Sequence, residues 1–150
     1  MWFWSGHKGD FLIPGIGVSG LSTLPRIGAQ VYNTDSQTSS IVLTAADVTG
    51  APVEVVLGLT GAITTAQNAQ MPTVAALVAA IPNAVVGQTY KLRVINVGGT
   101  SSGAFTITTN TGWTLTGTMS IAINTWRDFI VTLNSLTAAT LQDVGAGVAP

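Results

Sequence analysis

The chain has 150 residues, with five Lys or Arg, six Asp or Glu, a formal net charge of −1 and no cysteine. Charged side chains make up 7% of it and hydrophobic ones 47%, with a mean hydropathy of +0.50, where an ordinary soluble domain is roughly 25% charged. Five scattered cations give no basic stripe for a phosphate backbone, so nucleic acid is an unexpected partner, and the lack of cysteine excludes disulfides, thiolate nucleophiles and Cys-held metals.

The length suits one domain with one core. The longest unbroken apolar run, from Val74 to Ile81, is eight residues, far short of the roughly 20 needed to span a bilayer. No membrane partner is expected. The N-terminus places aromatic residues ahead of its first cation, without a basic n-region, and so does not read as a secretory signal.

Residues 1–40 hold Trp2, Phe3, Trp4 and Phe11 among glycines and prolines and show no sustained periodicity. They read as an extended N-terminal arm, apart from a β domain over 41–150. The four aromatics are candidate docking residues. Exposed in a free tail they would invite aggregation, so they are expected to bury on a neighbouring subunit or docking surface; a loosely packed terminus is the plainer alternative.

From residue 41 onward the composition turns to Val, Ile and most of the 22 threonines, side chains that pack well on a pleated surface. Strands are predicted over 41–43, 53–59, 89–97, 104–109, 113–116, 118–123, 127–133 and 140–144. Turn signals lie at Gly98-Gly99, Asn110-Thr111-Gly112, Gly117 and Asn134-Ser135. Tyr90, Leu92 and Val94 alternate with Thr89, Lys91 and Arg93, giving a dry face and a wet one; Phe129, Val131 and Leu133 alternate with Asp128, Ile130 and Thr132.

Two places depart from the strand pattern. Asp47 follows Thr44 by three residues, the spacing of a capping box for a short turn. Over 73–81, Val74, Leu77, Val78 and Ile81 fall at i, i+3, i+4 and i+7 with alanine on the other face, which predicts a two-turn helix capped by Thr73 and stopped by Pro82. One short helix is therefore expected in an otherwise all-β chain.

Catalytic patterns are thin. Gly15-Ile16-Gly17-Val18-Ser19-Gly20 matches G-x-G-x-x-G literally, but Pro14 and Pro25 flank it and no βαβ unit follows, so it reads as a glycine loop. The acids Asp10, Asp35, Asp47, Glu54, Asp128 and Asp143 show no local pairing, although distant ones could meet as a glycosidase-like pair. A Ser-His-Asp triad would need His7, the one histidine, which sits between glycine-rich stretches. No catalytic residue, metal ligand or cofactor is assigned. Trp113 and Trp126, each at a strand start, are candidate surface aromatics for stacking on sugar rings, with burial as core lids the alternative.

The second half, with MPTVAALVAAIPNAVVGQTYKLRVINVGG followed by FTITTNTGWTLTGTMSIAINTWRDFIVTLNS, resembles small virion structural proteins of tailed phages, most of all capsid decoration (cement) proteins. The likeness covers residues 71–145. It implies a non-enzymatic all-β subunit on the capsid surface, commonly a homotrimer, that binds the major capsid protein and stabilises the shell. The fold expected is an antiparallel β-sandwich, jelly-roll-like, with the short helix and the arm. Two other functions stand beside it: a tail-fibre or host-adsorption module that binds glycans, and a glycan-degrading enzyme.

Overall fold

The computed structural model describes residues 30–36, 38–50, 53–98 and 103–149. Trp2, Phe3, Trp4, Phe11 and His7 lie outside the described residues. Within the segment expected as an arm, Gln30–Asp35 forms strand β1 and runs parallel to β3 (Glu54–Leu59). A β structure thus begins before residue 41, in a stretch whose few apolar residues carry too little alternation to mark it.

Among the described residues, ten strands form two sheets. The larger has the order β1, β3, β5 (Thr89–Asn96), β9 (Thr125–Leu133), β10 (Ala139–Val148), β7 (Trp113–Thr116). The smaller has the order β2 (Ile41–Val42), β4 (Gln67–Gln70), β6 (Phe105–Thr108), β8 (Ser120–Ile121). Up to β6 the chain alternates strictly between sheets, so that β1, β3 and β5 stack in parallel in one while β2, β4 and β6 stack in parallel in the other. The result is three turns of a coil, closed by strands that run back: β8 against β6, and β9 against β5.

The expected antiparallel pairing holds only in part. Three pairs are antiparallel and five are parallel. Side-chain alternation has the same period in both directions, so it carries no information on strand polarity. Each parallel neighbour is reached only after a strand in the opposite sheet, the long crossover that parallel pairing requires. β4 went unpredicted because QNAQ has little β propensity; only Ala69 of it enters the core, and its neighbours on either side hold it.

Among the described residues two helices, rather than one, connect successive coils. At α1 (Ala45–Val48) the Asp47 carboxylate accepts from the Thr44 N–H at 2.6 Å and from its hydroxyl at 2.8 Å, which turns the anticipated capped turn into a short helix. In α2 (Val74–Ala80) the Thr73 hydroxyl accepts from the Ala76 N–H at 3.2 Å, and Val74 and Leu77 are fully buried with Val78 and Ile81 packed beside them. The alanine face is exposed.

Val55, Leu57, Leu92, Val94, Phe129, Val131 and Leu141 from the large sheet share one core with Ala69, Phe105, Ile107 and Ile121 from the small one. Asn96, fully buried, ties the sheets together: its Nδ2 donates to the carbonyls of Gly103 and Ile121, each at 3.2 Å, and its Oδ1 accepts from the Gly98 N–H. Every buried polar side-chain atom among the described residues is satisfied, as a low-dielectric interior demands.

Candidate functional site

The outer face of the large sheet gathers half of the charged side chains in the described residues. Because Leu92 and Val94 point into the core, Lys91 and Arg93 point out; because Phe129 and Val131 point in, Asp128 and Trp126 point out. Register then does the rest. Glu54 lies opposite Lys91, and Arg93 lies opposite Asp128.

Lys91 Nζ reaches Glu54 Oε1 at 2.9 Å and Asp128 Oδ2 at 3.1 Å. Arg93 grips Asp128 with a two-pronged fork, Nε to Oδ1 at 2.7 Å and Nη2 to Oδ2 at 2.8 Å, the geometry in which a planar guanidinium is strongest. Burial pushes the Asp128 carboxyl up, but hydrogen bonds from Arg93 and Lys91 outweigh it and hold the group below the ordinary aspartate value. The hydrogen bond to Glu54 is the main reason that Lys91 is raised, and that to Asp128 raises Arg93.

Aromatic rings flank this network. The Arg93 guanidinium carbon lies 4.3 Å from the centroid of the half-buried Trp126 ring, a cation–π contact. The same indole covers Gly147, where a Cβ would come within 2.6 Å of its Cζ2. At the other margin Tyr32, 59% exposed, lies across Gly58 in the same way. Glycine in a strand here leaves room for a neighbouring ring to lie flat on the backbone.

A second ion pair closes one end of the space between the sheets. Arg127 Nη1 contacts Asp143 Oδ2 at 2.7 Å while its Nε donates to the Ser120 carbonyl on β8. Burial raises the Asp143 carboxyl, but Arg127 and the backbone N–H groups of Thr118 and Gly145 more than offset this and leave it below the usual value. Asp128 and Asp143 are therefore both held as anions, the opposite of what a general acid in a glycosidase pair needs. Among the described residues there is no group of three or more His, Cys, Asp or Glu that could hold a metal, and no helix is long and apolar enough to cross a membrane.

The two tryptophans singled out by sequence part company. Trp113 is buried, 8% exposed, and its Nε1 donates to the Pro72 carbonyl at 2.6 Å, so it is a core lid and not a surface aromatic. The reason is the turn before it: Gly112, at φ +90°, packs so close to Val74 that the chain folds Trp113 down beside the start of α2. Trp126 stays on the outer face. The Glu54, Lys91, Arg93 and Asp128 network was missed, since its members belong to three strands whose adjacency alternation does not reveal; the signal present was the opposite sign of the outward residues on two strands.

The outer face of the small sheet is different in kind. It has a shallow open depression of about 270 Å3 lined by Ser40, Ile41, Val42, Asn68, Gln70 and Thr108, with no charged side chain. Ser40 donates to Gln67 and accepts from the Asn68 N–H, and Gln70 donates to the Thr109 carbonyl, so much of its polarity is used within the fold.

No family model, curated protein or solved structure matches the chain.

Proposed function

We propose that the chain is a non-enzymatic virion structural protein, a capsid decoration or cement subunit that stabilises a phage head through contacts with its own copies and with the major capsid protein. One observation supports this reading most. Of the eight charged side chains among the described residues, six (Glu54, Lys91, Arg93, Arg127, Asp128 and Asp143) are consumed in ion pairs within the fold. The remaining surface of the described residues is largely Thr, Ser, Asn and small apolar residues, which costs less to desolvate in a permanent contact than free charges would and offers no unpaired cation to a polyanion. Two sheets on one core suit this role as a β-sandwich layering, with the coil of parallel strands in place of a simple meander.

The aromatic residues Trp2, Phe3, Trp4 and Phe11 are the docking elements in this proposal, and the assembled form is a homotrimer on the capsid surface. The test is to follow the chain through virion purification and to add it to expanded heads that lack it. Retention on the heads, with raised resistance to heat, is the expected result; a chain absent from purified virions and without affinity for heads overturns the reading. Removal of residues 1–13 is expected to weaken attachment while leaving the melting temperature of the β domain unchanged.

A second reading, a tail-fibre or host-adsorption module, is favoured by Trp126 alone, a half-buried indole on an outer sheet face. Glycan binding that disappears in Trp126→Ala would put it first.

A further inference from the structure

We infer that β10 carries a self-complementary edge through which two copies of this chain pair as one continuous sheet. β7 covers β10 only from Ala139 to Gln142. Beyond that point Gly117, at φ +94°, turns the chain out of the sheet toward β8, and no strand among the described residues pairs with the outer side of residues 144–148. From Gly145 to Val148 this stretch pairs on its other side with β9, so among the described residues it is a strand with one open edge.

Its chemistry lacks most of the usual safeguards. Natural edges are commonly blunted by Lys, Pro, inward charge or a bulge; Val144-Gly145-Ala146-Gly147-Val148 has no Lys, Pro or charge, the register shift at Val144 is its one such device, and Val144 and Val148 are 54% and 79% exposed. The Ala149 N–H donates to the Asn124 carbonyl on the β9 side. Alternation along the strand then turns the backbone N–H and C=O of Ala146 and Val148 the other way, toward the open edge.

The occupant is specified by the sequence itself. These five residues read the same in both directions about Ala146. A two-fold axis beside Ala146 therefore sets Ala146 against its own counterpart and Val144 against Val148 of the second copy, in antiparallel register, as an isologous contact requires. The Ala146 pair, with Val148 of each copy beside it, supplies about two to four backbone bonds, and the contact covers the exposed valines even though Val144 stands at the register shift of the strand.

The outer face fits as well. Gly145 of the second copy falls opposite Gly147, over which the Trp126 indole lies. A Cβ at Gly145 would meet nothing within 4 Å, so the space above that glycine is open to receive the indole edge arriving from the other copy. Gly145 and Gly147 are thus the small residues that let two Trp126 rings cross the seam.

The experiment is the solution mass of the full chain by light scattering, with Ala146→Lys and Ala146→Cys. Away from the capsid, on which the homotrimer of the proposed function assembles, the expected mass is about twice 15.3 kDa, falling to one chain in Ala146→Lys with an unchanged far-ultraviolet spectrum. Because the chain has no cysteine, Ala146→Cys is expected to oxidise to a covalent dimer, two Cα atoms of a hydrogen-bonded pair lying about 5.5 Å apart. Val42→Cys, 63% exposed on the other sheet, is not expected to do so.

A single-chain mass for the unaltered protein overturns the contact, as does a pair that survives Ala146→Lys, or equal cross-linking of both cysteine variants. A mass of three chains insensitive to Ala146→Lys also overturns it while leaving the virion proposal standing. Absence from virions with a dimer lost in Ala146→Lys does the reverse.

Discussion

Asp128 lies directly across the β5–β9 ladder from Arg93, and the two are joined by both prongs of the guanidinium, at 2.7 and 2.8 Å. The same guanidinium lies over Trp126. Arg93→Lys keeps the charge but loses the fork and the planar contact with the indole. It is expected to destabilise the fold by about 1–2 kcal/mol, a fall in Tm of roughly 3–6 °C for a chain of this size. An unchanged Tm by calorimetry would mean that Lys91 alone suffices to hold Asp128.

Acid is expected to unfold the protein through Asp128 and Asp143. Both carboxyls are held below the ordinary value in the folded state. A depressed folded pKa contributes stability that is complete above the unfolded value, about 4, and that fades as the pH falls through the folded value. The Tm is therefore expected to be flat above about pH 5 and to drop below about pH 4. Asp128→Asn and Asp143→Asn lower the plateau and make the acid limb shallower; an acid limb as steep in the double variant would assign it to other groups.

Trp113→Phe tests the lid. It removes the donor to the Pro72 carbonyl and leaves that buried acceptor empty, at a cost of about 1–3 kcal/mol. Denaturant unfolding is expected to show this loss with an unchanged slope. A neutral substitution would indicate that water reaches the carbonyl.

Leu77→Asp places an unpaired carboxylate on the fully buried stripe of α2. Burial of an unpaired charge costs several kcal/mol, comparable with the whole stability of a small domain. The variant is expected to be unfolded or insoluble, whereas Ala76→Asp on the exposed side of the same helix is expected to fold. Circular dichroism of the two decides it.

Some of this architecture can be read without coordinates. The stripe Val74, Leu77, Val78 and Ile81 marks a helix because only a 3.6-residue period brings those positions together, and the alternation around Leu92 and Phe129 marks strands with one dry face because strand side chains repeat every two residues. The sequence by itself therefore determined which residues are strand or helix over most of the described residues from 41 onward, and which of them face the core. It also determined that Lys91 and Arg93 share one face of their strand and that Asp128 and Ile130 share one face of theirs.

What only the tertiary structure decided is who stands beside whom. Strand direction, the coiled order of the parallel strands, the burial of Trp113 and the fork between Arg93 and Asp128 all depend on pairings across long stretches of chain. Periodicity is a local property of consecutive residues, while the order of strands in a sheet is set by how two faces close on one core. The open edge of β10 needed both: its palindrome is written in five consecutive residues, and its freedom to pair exists only because β7 stops at Thr116.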